Sequence, residues 1–261
     1  MVKIHKHIFI LLYKSSNTTM SKNENTIITK ETIVRLLKDI KDIMKNPLED
    51  NGIYYIHDDE DMLKGHALIV GPHDTPYFGG NYFFEFKFPT DYPHSPPSVT
   101  YCTNGDSIRF NPNLYTNGRV CISLLNTWRG EQWTSCQSIS SVLLNLCTLL
   151  NNDPLLNEPG VNKGHHDFEK YNKIIEYKNI DLAALKMVNK TVGYFSEKFQ
   201  IFYPVVKENF SKNKDEMLKF IERKMEEYPN SEKIHTGLYK MSVTICYKKL
   251  HKDFLETCKI L

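Results

Sequence analysis

Four prolines, Pro89, Pro93, Pro96 and Pro97, fall within the run FPTDYPHSPPS. Proline has no N–H to give to a ladder, so this run cannot be a central strand. It ends whatever sheet precedes it and stiffens a surface loop with its tip near His94. Upstream lie short strand-like segments bounded by turn residues: Ile53–His57, Gly65–Val70 and Tyr82–Phe88. In the third, Tyr82, Phe84, Phe86 and Phe88 line one face against Glu85 and Lys87 on the other. Gly79-Gly80 provides a sharp return before it. A fourth strand, Val99–Cys102, follows the prolines. Connections this short predict an antiparallel meander.

Helical periodicity flanks the strands. Ile33, Leu37, Ile40 and Met44 recur as one apolar stripe that Pro47 ends. After Trp133, the residues Ile139, Val142, Leu143, Leu146, Leu149 and Leu150 mark an amphipathic core helix with Ser138 as N-cap. Each such leucine contributes roughly 1.5–3 kcal/mol on burial. Cys147 lies near that face and reads as a small core residue. Beyond Asn157-Glu158-Pro159-Gly160 the chain reads as helical to its end. Helices are expected over Asp181–Val188, along the stripe Met217, Phe220, Ile221, Met225 and Tyr228, and over Leu238–Leu261, with Pro204 and Pro229 as breaks. The expectation is an α+β fold divided into a mobile N-terminal tail (1–26), a core (27–200) and a C-terminal helical extension (201–261). That extension reads either as packing against the core or as a partner-binding lobe.

Charge and cysteine usage narrow the function classes. A net charge of +2 with Lys and Arg spread along the chain gives no electrostatic case for nucleic acid. The six cysteines, 102, 121, 136, 147, 246 and 258, form no C-x-x-C pair and no zinc spacing. Reduced thiols in a cytosolic or nuclear protein are expected, with no metal and no cofactor. The apolar run Ile8–Tyr13 is too short for a secretory core or a bilayer span, so no membrane partner is expected. Translation from Met20 is an equal alternative to Met1.

Chemistry concentrates in Arg109–Trp133, RFNPNLYTNGRVCISLLNTWRGEQW. Asn117-Gly118 is a strong tight-turn signal, because both residues tolerate positive φ. A turn there lets Asn113 and Cys121 face each other across seven intervening residues. A thiol beside a fixed amide donor suits acyl transfer: the sulfur attacks and the amide stabilises the oxyanion. An inert buried thiol is the bland alternative for Cys121, and a turn-holding side chain the alternative for Asn113. No histidine is obviously poised as a base, which argues against a Cys-His protease.

The segment NPN-LYTNGRV-C, followed by WTS and an apolar helix, resembles the active-site segment of ubiquitin-conjugating enzymes, whose usual form is His-Pro-Asn, seven residues, then Cys. GPHDTPYFGGNYFFEFKFPTDYPHSPPSV resembles that family's sheet and proline loop, so the likeness runs from about Ile33 to about Met187. Asn111 at the first motif position and the TW-x-G insertion (Thr127, Trp128, Gly130) are similar to the large Z-type subgroup. The resemblance implies a core of N-terminal helix, four-stranded antiparallel meander and central helix. It implies that Cys121 carries ubiquitin or a ubiquitin-like modifier as a glycyl thioester, received from an activating enzyme that itself uses the ATP. The modifier then passes to a substrate lysine or a ligase cysteine. Asn113 takes the oxyanion or loop role, and Asn111, replacing the customary histidine, a structural one. Asp153, beside the gate, orients the incoming lysine or is simply turn punctuation with Pro154. Lys38, Lys41 and Lys45 on the first helix contact the activating enzyme or form a solvated face. The loops of His94 and Ser135 meet a ubiquitin ligase, although Thr134-Ser135-Cys136 replaces the usual Ser-Pro-Ala. A non-catalytic binding variant of the fold is the second functional class; such variants lack the cysteine.

Overall fold

The computed structural model describes residues 28–261, so the expected N-terminal tail and the alternative start at Met20 lie outside the described residues. The first helix, α1 (Lys30–Lys45), begins at Thr29, whose hydroxyl accepts the Thr32 N–H at 3.1 Å as an N-cap. Its buried face is Thr32, Leu36, Asp39 and Ile40; of the expected stripe Ile40 alone is on it, and Met44 is exposed. The correction has a polar cause. Asp39 is drawn inside by an ion pair with Arg35 at 2.9 Å and by the hydroxyl of buried Tyr92, which rotates the inward face by one position.

Strands β1 (Ile53–His57), β2 (Lys64–Val70), β3 (Asn81–Lys87) and β4 (Ser98–Tyr101) form one antiparallel sheet in chain order. The expected meander is present, with each boundary within one residue. Both faces of β3 are buried. Tyr82, Phe84 and Phe86 enter the main core, whereas Phe83 on the other side stacks on Phe199 at 4.6 Å and meets Phe195 edge-on. Glu85, expected in solvent, pairs there with Lys198 at 2.7 Å. Residues 195–202 therefore cover a sheet face that alternation alone assigned to water.

The central helix α2 (Ile139–Thr148) follows the expected pattern, with a reciprocal capping box between Ser138 and Ser141. Next come α3 (Phe168–Lys178) and a π-helical segment, Asn179–Lys186. Asn179 at their junction accepts the Tyr82 hydroxyl at 2.7 Å and donates to Phe78 C=O at 2.8 Å, fastening this region to the sheet. Asp106 fastens it a second time, holding Lys178 (2.9 Å), Lys186 (3.1 Å) and the Tyr194 hydroxyl (2.6 Å). Burial alone would raise the Asp106 pKa, but these donors outweigh it and hold the carboxyl well below the usual range.

The C-terminal extension has the expected helices, with a short hairpin between them. It consists of α4 (Tyr203–Glu227), a hairpin of β5 (Glu232–His235) and β6 (Ser242–Ile245), and α5 (Tyr247–Ile260). The single helix expected over Leu238–Leu261 is thus corrected. Ile234, Val243 and Ile245 alternate inward over four-residue strands, too few for a two-residue period to stand out. Pro204 does not break a helix but opens α4, where a missing N–H leaves nothing unpaired.

Candidate active site

The Asn117-Gly118 turn forms as a hairpin beside β4. Gly118 N–H bonds Tyr115 C=O and Tyr115 N–H bonds Arg119 C=O, each at 2.9 Å. The left-handed φ falls on Gly118 (+88°), while Asn117 uses its side chain to accept the Arg119 N–H at 3.1 Å. Gly118 C=O also accepts the Tyr101 N–H at 2.7 Å, and a Cβ at Gly118 would stand 2.9 Å from Thr100 Cγ2. Glycine is required here both for its φ and for close approach to the sheet.

Folding the hairpin brings Asn113 against Cys121, as expected. The Cys121 N–H donates to Asn113 C=O at 2.9 Å, and Asn113 Nδ2 donates to Cys121 C=O at 2.5 Å. Asn113 Oδ1 is buried without a partner. The carboxamide thus grips the backbone that carries the thiol, and Nδ2 keeps a second hydrogen. Cys121 itself is only 2% exposed, between core residues Val120 and Ile122.

Those walls are tied by polar side chains. Asn111, fully buried, donates to Leu149 C=O at 2.8 Å and accepts the Asn113 N–H at 2.9 Å and Asn157 Nδ2 at 3.4 Å. It joins the Asn113 loop to the end of α2 and to the Pro154–Asn157 turn. Thr127, singled out in the sequence only within the TW-x-G insertion, brackets Cys121. Its hydroxyl accepts the Ile122 N–H at 3.0 Å and lies 2.9 Å from Val120 C=O and 3.0 Å from Ile122 C=O. The only sequence signal for this role is that threonine hydroxyls bond nearby backbone. Asp153 opens the short 3₁₀ turn Pro154–Asn157 and holds the ammonium of Lys163 at 2.7 Å.

A second wall element was not foreseen. Arg109 Nε donates to Asn111 C=O at 3.2 Å and Nη2 to Pro112 C=O at 2.5 Å, just before Asn113. Its guanidinium lies 3.3 Å from the Tyr115 ring centre and 4.9 Å from that of Tyr239, which belongs to the β5–β6 turn.

The remaining expected contact residues are distributed as follows. Lys38, Lys41 and Lys45 are exposed on α1. His94 pairs with Glu31 of α1 at 3.2 Å, while Arg35 of the same helix donates to Ser135 C=O at 2.5 Å. Trp133 Nε1 donates to Pro93 C=O at 2.7 Å, so the His94 and Ser135 loops share one anchored surface. All six cysteines are free. Burial pushes the Cys102 and Cys147 thiols up, consistent with core residues. Among the described residues, His165, His166 and Asp167 bring potential metal ligands within 4.8 Å of one another. Two of those groups are already engaged: His165 Nδ1 accepts the Asp167 N–H at 3.1 Å, and Asp167 Oδ2 the Leu238 N–H at 2.8 Å. No described helix is long and apolar enough to cross a membrane.

Comparison with known proteins accounts for this arrangement. The family described as "Ubiquitin-conjugating enzyme" matches residues 35–179, more than half of the chain. Ubiquitin-conjugating enzyme E2 Z of Danio rerio is 42% identical over 173 residues, covering 65% of this chain and 52% of that protein. The Homo sapiens protein of the same name is 44% identical over 161 residues, covering 60% and 45%. A probable ubiquitin-conjugating enzyme of Caenorhabditis elegans is 39% identical over 160 residues, covering 56% of this chain and 22% of its own length. The chain spans about half the length of the E2 Z relatives it matches. With a matching fold, a matching motif order and these identities, the chain belongs to the ubiquitin-conjugating enzyme family.

Proposed function

We propose that this protein accepts ubiquitin, or a ubiquitin-like modifier, as a thioester on Cys121 and passes it to a substrate lysine or a ligase cysteine. The Cys121 thiolate attacks the carbonyl of the thioester held by the activating enzyme; that enzyme's cysteine leaves and takes up the proton. Exchange of one thioester for another is nearly isoenergetic, so Cys121 needs no histidine base, and no histidine among the described residues bonds it. The observation that carries the reading is the reciprocal pair of bonds between Asn113 and Cys121. They hold the carboxamide where it shapes the nucleophile's loop and keeps one hydrogen for the oxyanion of the tetrahedral intermediate.

In the second step a lysine amine attacks the carbonyl of the Cys121 thioester; an isopeptide bond forms, the C–S bond breaks and the Cys121 thiolate leaves. Such an amine is almost wholly protonated at neutral pH and cannot attack in that form. Asp153 supplies a carboxylate for orienting it and taking its proton; its present hold on the Lys163 ammonium supports that role. The exposed Lys38, Lys41 and Lys45 serve as the contact for the activating enzyme, and the joined His94 and Ser135 loops as the ligase contact. The test is a charging assay with purified activating enzymes, ATP and several modifiers. A reductant-sensitive adduct with at least one modifier is the expected result; none with any of them would refute the reading.

A further inference from the structure

We infer that Tyr239 is a positioning residue through which the C-terminal lobe sets both walls of the Cys121 site, an inference that rests on the proposed thioester chemistry. One side chain reaches two places. Its ring faces the Arg109 guanidinium, which grips the carbonyls of Asn111 and Pro112 immediately before Asn113. Its hydroxyl donates to Glu158 Oε2 at 2.5 Å, and Glu158 N–H closes the Asp153 gate turn by bonding Leu155 C=O at 3.1 Å. Burial, reinforced by the Glu158 carboxylate, drives the Tyr239 pKa upward, so the phenol remains a donor at any physiological pH.

The backbone beneath it supports the same reading. Tyr239 and Lys240 have φ of +59° and +50°, left-handed values that non-glycine residues adopt at a cost. Two such residues in succession project the Tyr239 ring out of the hairpin toward Arg109. The turn is held by its surroundings: Leu238 N–H bonds Asp167 Oδ2 at 2.8 Å, Thr236 Oγ1 donates to Leu238 C=O at 2.7 Å, and Arg109 N–H meets Met241 Sδ at 3.4 Å. Tyr171 adds a bond from the core side, its hydroxyl donating to Arg109 C=O at 2.6 Å. Because Cys121 is covered, the walls must move to admit a modifier tail and return for transfer. The Tyr239 contacts define the position to which they return.

The test uses the full chain charged at Cys121, single-turnover discharge to free lysine over a range of lysine concentrations, and amide hydrogen exchange on the uncharged protein. Tyr239→Ala should lower the maximal discharge rate about tenfold, within the usual range for coupling through packed residues. Exchange should quicken in residues 111–113 and 153–158 but not throughout the sheet. Tyr239→Phe, which keeps the ring over Arg109, should restore slow exchange at 111–113 while 153–158 stays fast. If Tyr239→Ala does not fold, Tyr239→Phe and Glu158→Gln carry the test through the gate alone. Discharge at the wild-type rate in Tyr239→Ala, or in those two gate variants where they stand in for it, would overturn the inference. So would faster exchange spread evenly over the molecule. Failure of the wild type to charge would instead strike the proposed function, with hydrogen exchange still reading the clamp.

Discussion

The four-stranded core and the C-terminal lobe take their order from different sources. In the core, β2 and β3 pair through seven register positions within a four-stranded sheet. In the lobe, β5 and β6 pair through only four. A two-stranded hairpin is marginal on its own, so the lobe's hairpin depends on what it docks against. That surface includes the start of the candidate-site segment, with Tyr239 over Arg109 and Met241 at the Arg109 N–H, and the residue before α3, with Leu238 on Asp167. The core places the thiol; the lobe braces the loops around it. A region added outside the matched family segment thus contributes to the geometry of the site without supplying a reacting group.

Phenylalanines on the two faces of β3 provide the strongest test of that division. Phe84 faces the main core and Phe83 faces residues 195–202 at the entrance to the lobe. Each Phe→Ala change should cost about 3–5 kcal/mol in denaturant unfolding if both faces are permanently covered. A cost below about 1 kcal/mol at Phe83, within the range of exposed sites, would show that this cover detaches and that the comparison is wrong.

Next in size is Asn113→Ala. It should still charge at Cys121 but discharge to free lysine roughly 10²–10³ more slowly, about 2.7–4 kcal/mol, if the carboxamide acts on the oxyanion. Normal discharge would leave Asn113 as the clamp on the Cys121 carbonyl and nothing more.

What could be read from residues alone follows the same division. The strands, the central helix with its Ser138 cap and the Asn113–Cys121 juxtaposition all rest on local chemistry: alternation, capping residues, proline punctuation and one glycine turn. The rest depends on partners distant in sequence. The inward face of α1 was misplaced because Asp39 is satisfied by Arg35 and Tyr92, and no hydrophobic period records that pairing. Glu85 reads as part of an outward face until residues 195–202 cover it and the neighbouring Phe83. Arg109 and Tyr239 stand 130 positions apart, and nothing local to either predicts that they stack. The burial of Cys121 enters the sequence reading only as the bland alternative to a reactive thiol, since motif spacing carries no information about exposure.

The smallest predicted effect concerns the tie between the sheet and the helical segment that precedes the lobe. Asp106 joins the loop after β4 to Lys178, Lys186 and Tyr194. Its folded-state pKa is depressed, so its contribution is fully present above the unfolded carboxylate value and lost as pH falls through the folded one. Because the site is partly exposed, Asp106→Asn should cost only about 1 kcal/mol at pH 7. The difference from wild type should shrink as pH falls below about 4. Denaturant titrations of both proteins across that range measure it; a gap that stays constant with pH would place the contribution elsewhere.

The central claim is that one sulfur carries the modifier, and Cys121→Ser tests it most directly. Charged beside the wild type with activating enzyme and ATP, the variant should form an oxygen ester that survives reductant and is cleaved by alkali, while the wild-type adduct is lost to reductant. A reductant-sensitive adduct persisting on the Cys121→Ser protein would place the thioester on another cysteine and contradict the account.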